Sequence, residues 1–353
     1  MKRLNARELG AFLAIYVIWG STYLAIRLAV ETIPPFLTAG VRHLVAGVVL
    51  YALCLFLRGR RVRVSAAEWR ASVVVAALFF LIGHGALHWA EQTVPSGIAA
   101  LLVATEPVWV VMLMPAVAGS RLRMRTVGGL VSGVAGVGLL VPDGSLAAGS
   151  QQLWGSGAIL AGALSWALGL RYAATADLPR DPFVRAATIL LGGGGLLLAA
   201  SAATGELGRV DVHAISQRSL VGLGFLIVFG SVVAFSAYTW LLERRPATLV
   251  ATHTFVNPAV AVLLGWLVAG ESLTPRIVGA TSLILVAVVL LKSDASRRAA
   301  ASSQSFTGLR RPFTERPRTD PLEERIPAMW RANIGASDNA AGAGDAPVAG
   351  ERT

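Results

Sequence analysis

The chain has 353 residues, of which 55% are hydrophobic and 14% charged. A soluble domain carries about 25% charged residues, so this composition cannot clothe a soluble surface and excludes an ordinary globular protein. The formal net charge of +11 does not indicate a nucleic-acid binder either. The basic residues sit in short connections and in the tail, not on a motif-bearing face.

Ten apolar blocks follow in chain order, at 9–29, 36–57, 71–90, 96–118, 126–142, 154–174, 183–203, 219–242, 248–269 and 276–292. A crossing helix needs roughly 20 apolar residues. Helices are expected throughout, since a lipid-exposed segment must satisfy its own backbone hydrogen bonds. Met1-Lys2-Arg3 leads into the first block without a small-residue cleavage site, so that block is expected to remain as the first span. Cys54 is the sole cysteine, which rules out an intrachain disulfide; it is expected to pack as a small apolar residue in the second span. Gly192–Gly195, in the seventh block, provides either close helix packing or local flexibility. From Ser293 onward the chain is rich in Arg, Pro, Ser and Ala, and a disordered cytoplasmic tail over 293–353 is expected.

Connection charge predicts sidedness. With the amino terminus in the cytoplasm, the inner connections hold Lys2, Arg3, Arg7, Arg58, Arg60, Arg61, Arg63, Arg70, Arg121, Arg123, Arg125, Arg171, Arg180, Arg185, Arg244 and Arg245. The outer ones hold only Arg209, Arg218 and Arg276. The expected location is therefore the inner (plasma) membrane, multi-pass, with both termini cytoplasmic.

The two halves repeat one another. A shift of 151 places Trp89 on Trp240, Pro95 on Pro246, Pro107 on Pro258, Gly119 on Gly270, Leu122 on Leu273 and Gly128 on Gly279. Earlier, a shift of 147 places Trp19 on Trp166, Pro35 on Pro182 and Phe36 on Phe183. Five spans per half is an odd number, so the second copy enters from the opposite side. The predicted fold is an all-α membrane protein of about ten transmembrane helices, arranged as two inverted five-helix repeats over 1–142 and 150–292. Secondary transporters use this architecture recurrently, with a midplane site between the halves.

The segments Trp19-Gly20-Ser21-Thr22-Tyr23-Leu24-Ala25, Ala99 to Pro107 and Val256-Asn257-Pro258, with Gly270-Glu271 after the ninth block, resemble the EamA-type branch of the drug/metabolite transporter superfamily. The resemblance covers roughly 9–292. It implies two five-helix repeats, a central cavity, and export or exchange of small polar metabolites or drugs. In the first half Ser120 occupies the position of Glu271, which argues against an essential role for that carboxylate.

Glu106 is the first candidate. It lies about ten residues into its block, roughly 15 Å deep, where an ionisable group needs a cavity or a partner. It is either a substrate contact or proton carrier, or a carboxyl that caps freed backbone amides next to Pro107. Asn257-Pro258 is expected to make the matching break in the second half. Arg42 is expected to attract an anionic group or to pair with Glu106, whereas Arg27, near a span end, is expected to reach headgroups. His84 and His88 share a face with Glu91 beyond; the usual explanation of such a pattern is a polar stripe facing the bundle interior, the alternatives being proton handling at His88 and, behind it, metal ligation. His253 shares the face of Asn257. Trp19, Trp166 and Tyr238 are cavity-wall candidates, the alternative being ordinary helix packing. Glu206, Asp211 and His213 are expected in a solvated outer connection.

The leading function is a secondary transporter of a small organic metabolite or drug, working by alternating access. The alternatives are an intramembrane enzyme and a structural or receptor-like membrane protein. Enzyme activity is not expected, because no protease, zinc or nucleotide-binding motif is present. No cofactor or metal is expected. Expected partners are a small-molecule solute and membrane lipids, with a homodimer allowed and no nucleic acid.

Overall fold

A computed structural model describes residues 5–58, 63–113, 124–140, 151–242, 244–245, 250 and 252–290. The predicted tail, together with Gly119, Ser120, Leu122 and Pro246, lies outside the described residues. Within them the chain is helical and contains no strand. The helices are α1 (Ala6–Ala29), α2 (Pro35–Arg58), α3 (Ala66–Ala76, Ala77–His84 and Gly85–Ala90), α4 (Ser96–Val103), α5 (Glu106–Leu113), α6 (Met124–Leu140), α7 (Gln151–Ala173), α8 (Pro182–Ala203), a single turn α9 (Glu206–Arg209), α10 (Gln217–Phe225, Leu226–Val233 and Ala234–Leu242) and α11 (His253–Ala269). The last described helix is α12 (Pro275–Leu290). Among the described residues six helices are long and apolar enough to cross a membrane: α1, α2, α3, α7, α8 and α10. Shorter apolar helices occupy Ser96–Val110, Val127–Leu140, Val256–Ala269 and Pro275–Leu290.

Helix starts follow local chemistry. Asn5 and Glu8 exchange bonds across the first turn of α1, at 2.8 and 3.0 Å, as Ser65 and Glu68 do for α3. Asp181 accepts from the amides of Phe183 and Val184, with Pro182 as first residue of α8. Two further starts are capped from afar. Glu206 accepts from Phe36 and Leu37 amides at 3.2 and 2.9 Å, which ties α9 to the start of α2. Glu206 is 4% exposed, so it is not the solvated loop residue that its neighbours Asp211 and His213 suggest.

Glu271 caps α4. Its carboxylate accepts from Ser96 N at 2.6 Å, Ser96 Oγ at 2.8 Å and Gly97 N at 3.0 Å. Gly270, at φ 67°, ends α11 in the left-handed conformation and turns the chain so that Glu271 N meets Gly265 O at 3.0 Å. A side chain on Gly265 would sit 2.4 Å from Glu271 Oε2, so this glycine leaves the carboxylate its seat. Glu271 thus has a firm structural role even though Ser120 stands at its counterpart position.

The polarity of the molecule is inverted relative to a soluble protein. Phe56 is 85% exposed and Val134 68%, while Arg42 is 6% and Glu91 0% exposed. An apolar exterior around a polar interior is what a hydrocarbon solvent demands. Cys54 is buried in α2 as a small apolar side chain.

Helix pairing sets the scaffold. In the α2/α8 pair Gly40 faces Leu198, Leu44 faces Gly194, and Gly47 faces Leu191, so the helices run antiparallel. A Cβ on Gly194 would lie 2.5 Å from Leu44 N, which shows why glycine stands there; Gly195 faces open space. The α6/α12 pair is antiparallel too: Gly128 faces Leu290, Gly136 faces Ile284 and Gly279 faces Leu139. Between these pairs, α1 rests on α4, α10 and α11, and α7 rests on α3, α4 and α5.

Two kinds of departure interrupt the regular helices. Ala77–His84 in α3 and Leu226–Val233 in α10 are π-helical. Such widened turns frequently accompany functional sites. The fourth block is interrupted at Ala104-Thr105, immediately before Glu106-Pro107. Pro107 is then the second residue of α5, where its missing N–H goes unnoticed. The matching break expected at Asn257-Pro258 is absent: α11 runs through Pro258, and the interruption comes before His253.

Candidate functional site

Four of the predicted residues converge where α1, α10 and α11 meet. The Trp19 ring lies 5.2 Å from Tyr238 and 4.8 Å, edge-on, from His253. Tyr238 and His253 are 5.8 Å apart. Asn257, one turn along α11, turns its amide nitrogen toward the carbonyls of His253 at 2.9 Å and Tyr16 at 3.3 Å. Nearby, Tyr16 Oη and Thr252 Oγ1 are 2.6 Å apart. The result is an aromatic corner that also carries amide, imidazole and hydroxyl groups.

Glu106 opens α5, where the helix dipole favours a carboxylate. Its charge reaches Tyr23 of α1 and Tyr238 of α10, so it borders the corner from the α5 side. The chain break at Ala104-Thr105 places it there. Thr105 Oγ1 returns to Leu102 O at 2.6 Å and closes the turn.

A second polar group lies around α3. Arg42 Nε donates to Ser231 Oγ at 3.2 Å, while its Nη1 is buried with no hydrogen-bond partner. His43 Nε2 contacts His84 Nδ1 at 2.9 Å, and His88 Nδ1 contacts His84 O at 2.7 Å. Glu91 follows one turn later with both carboxylate oxygens buried and unbonded. The carboxylate whose charge Arg42 feels most is Glu91; among the hydrogen bonds described, Arg42 holds Ser231, not Glu106. Arg27 also turns inward, donating to the Glu91 carbonyl instead of reaching headgroups.

Trp166 belongs to this second group. It stacks on Phe79 at 4.2 Å and 15°, and on His84 at 5.3 Å and 19°. Trp166 therefore sits on the π-helical turns of α3. Trp19 does the equivalent on α10, its Nε1 donating to Gly230 O at 3.0 Å. Gly230 also joins the two groups, because its Cα side faces Thr22 and the Arg42 guanidinium. The structure thus gathers Trp19, Tyr238, His253 and Asn257, with Glu106 at their edge, and places Arg42, His88 and Trp166 in the adjoining group. Sequence reading missed His43. Its signal was a second ionisable residue beside Arg42 at the same depth of an apolar block.

A separate hollow of about 300 Å³ between α4, α6 and α7 is lined by Leu102, Val137, Leu140, Trp154, Gly157 and Leu160, among others. It is almost wholly apolar and contains none of the predicted site residues.

The EamA-like transporter family matches this chain twice, over residues 8–141 and 153–293. The uncharacterized inner membrane transporter YedA of Escherichia coli K12 is 37% identical over 283 residues, covering 80% of this chain and 89% of YedA. The uncharacterized transporter YoaV of Bacillus subtilis is 24% identical over 293 residues, covering 81% of this chain and 97% of its own. The WAT1-related chloroplastic protein At3g02690 of Arabidopsis thaliana is 26% identical over 281 residues, with 78% and 67% covered. A chain of known crystal structure, 19% identical, superposes with a TM-score of 0.55 over 83% of this chain and 99% of that one, a likeness of fold. With helices apolar enough to cross a bilayer and these relatives, this multi-pass membrane protein belongs to the EamA-like transporter family.

Proposed function

We propose that the chain is a secondary transporter that moves a small organic metabolite or drug by alternating access, as an exporter or exchanger. Two five-helix units, over 1–142 and 150–292, are inserted in opposite senses and meet at the corner of Trp19, Tyr238, His253, Asn257 and Glu106. YedA is named an inner membrane transporter, and the same membrane is proposed here, with both termini cytoplasmic.

One observation carries this reading. The sequence shift of 147 takes Gly47 to Gly194 and Leu44 to Leu191, and it exchanges the contacts Gly47–Leu191 and Gly194–Leu44 with each other. The shift of 151 does the same for Gly128–Leu290 and Gly279–Leu139. Antiparallel pairs whose contacts swap under the repeat are what two oppositely inserted copies of one unit require. The π-helical turns support it as well: each half has one, and each bears the tryptophan of the other half. Two equivalent halves can exchange shapes, and that exchange opens a central site first to one side and then to the other.

The test begins with a thermal-shift panel of amino acids, nucleobases and cationic drugs on the purified chain, followed by flux of the hits in vesicles. Flux that is lost in Glu106→Gln, with thermal stability kept, supports the reading. Normal flux in that variant removes Glu106 from the mechanism, and covalent alteration of a panel compound favours an enzyme.

A further inference from the structure

The hydrogen bonds around α3 fix which ring nitrogens carry protons. A carbonyl oxygen only accepts, so the 2.6 Å contact to Ala39 O makes His43 Nδ1 the protonated nitrogen. His43 Nε2 is then an acceptor, and His84 Nδ1, 2.9 Å away, is its donor. His88 Nδ1 likewise donates to His84 O at 2.7 Å. With all three rings neutral, the basic positions left open are His84 Nε2 and His88 Nε2. His88 Nε2 is buried without a partner, as are both carboxylate oxygens of Glu91, and both residues are 0% exposed. They stand three apart, on one face of the helix end. A buried carboxylate with no donor is costly when ionised; a proton on a Glu91 oxygen removes that cost.

We propose that Glu91 and His88 share one transferable proton, that His84 and His43 continue its path inward, and that this chain of groups couples proton movement to solute movement. The proton resides on a Glu91 oxygen, leaving His88 neutral, or on His88 Nε2, leaving a carboxylate–imidazolium pair. A proton reaching His84 Nε2 releases the Nδ1 proton to His43 Nε2 along their existing hydrogen bond. From Glu91 to His84 the chain covers seven residues, about 10 Å along the axis. The charged and titratable groups around it are Tyr23 and Arg27 of α1, Arg42 of α2 and Glu271 after α11, with Glu106 acting on Tyr23. Arg42 repels a second positive charge, so the chain carries one proton at a time. Trp166, stacked on His84 and borne by α7 of the other half, feels each change. This assignment rests on the transport reading above but concerns residues outside the aromatic corner.

The chain has five histidines, few enough for nitrogen-15 spectra of the full protein in lipid nanodiscs. Between about pH 9 and about pH 5, His88 should pass from its Nδ1–H tautomer to the imidazolium. Glu91→Gln should displace that transition and leave His213 unmoved. Neutral His84 and His88 rings throughout that range overturn the proposal. In vesicles, with the first amino acid, nucleobase or cationic drug that the wild type moves, Glu91→Gln and His88→Asn should keep solute-for-solute exchange and lose uptake driven by a pH gradient. His213→Asn should lose neither. Gradient-driven uptake retained in both α3 variants also overturns it. A wild type that moves no solute instead sinks the transport reading, and the spectra still decide the proton site.

Discussion

Glu271 and Glu106 show how two carboxylates near helix starts part company. Glu271 is fully employed, with three donors from Ser96 and Gly97. Its removal as Glu271→Ala should cost about 1–2 kcal/mol, the usual value of a lost cap. Denaturation in detergent measures this, and no change in stability would show that the cap is dispensable. Glu106 stands at a helix start, and its charge reaches Tyr23 and Tyr238 beside the aromatic corner. Glu106→Gln keeps the shape and removes the charge, so flux should fall while the melting temperature holds. Arg27 makes the complementary point: a charge at a span end need not reach lipid headgroups if a helix end offers carbonyls instead.

At the scale of elements, α2 and α8 give the sharpest contrast. Gly194→Ala drives a methyl group against the Leu44 backbone, and overpacking of that kind costs about 1–3 kcal/mol. Gly195→Ala meets open space and should stabilise the helix by about 0.5–1 kcal/mol. Paired thermal denaturation of the two variants separates close packing from flexibility as the reason for the glycine run; equal effects would contradict the packing account.

The helices were legible because a bilayer forces long apolar blocks and polar punctuation. Asp181-Pro182 marks the start of α8, and Pro107 announces the break before α5. The polar residues at depth were legible one by one, since each is conspicuous in an apolar block. Their partners were not. Glu206 and Glu271 act across 169 to 175 residues, and no local pattern encodes such pairing. The π-helical turns Ala77–His84 and Leu226–Val233 are almost wholly apolar and read as ordinary helix. Pro258 misled for a related reason: a proline within a packed helix is tolerated when neighbours meet the freed backbone.

For the whole molecule the proposed arrangement makes a directional claim. Single cysteines placed at Glu31 and Arg63, in a Cys54→Ser background, should react with a membrane-impermeant maleimide from opposite faces. In intact cells only the cysteine at 31 should be modified, and the one at 63 should require permeabilised cells. Modification of both from one face would show that α2 does not cross the membrane and would overturn the proposed sidedness.

On the face proposed to be outer, the fold gives each arginine a partner. Arg209 donates to Thr204 O at 2.9 Å, at the end of α8; Arg276 donates to Leu139 O, at the end of α6; and Arg218 stands 3.9 Å from Glu31. Each positive charge there already answers a helix terminus or a carboxylate. A membrane-insertion apparatus weighing the two sides would meet hardly any unanswered cation on that face once the helices have formed. On the face proposed to be inner, Arg245 likewise pairs with Glu8 and Arg171 donates to Leu113 O, so the proposed orientation rests on how many cations stand on each side and not on how many are partnered.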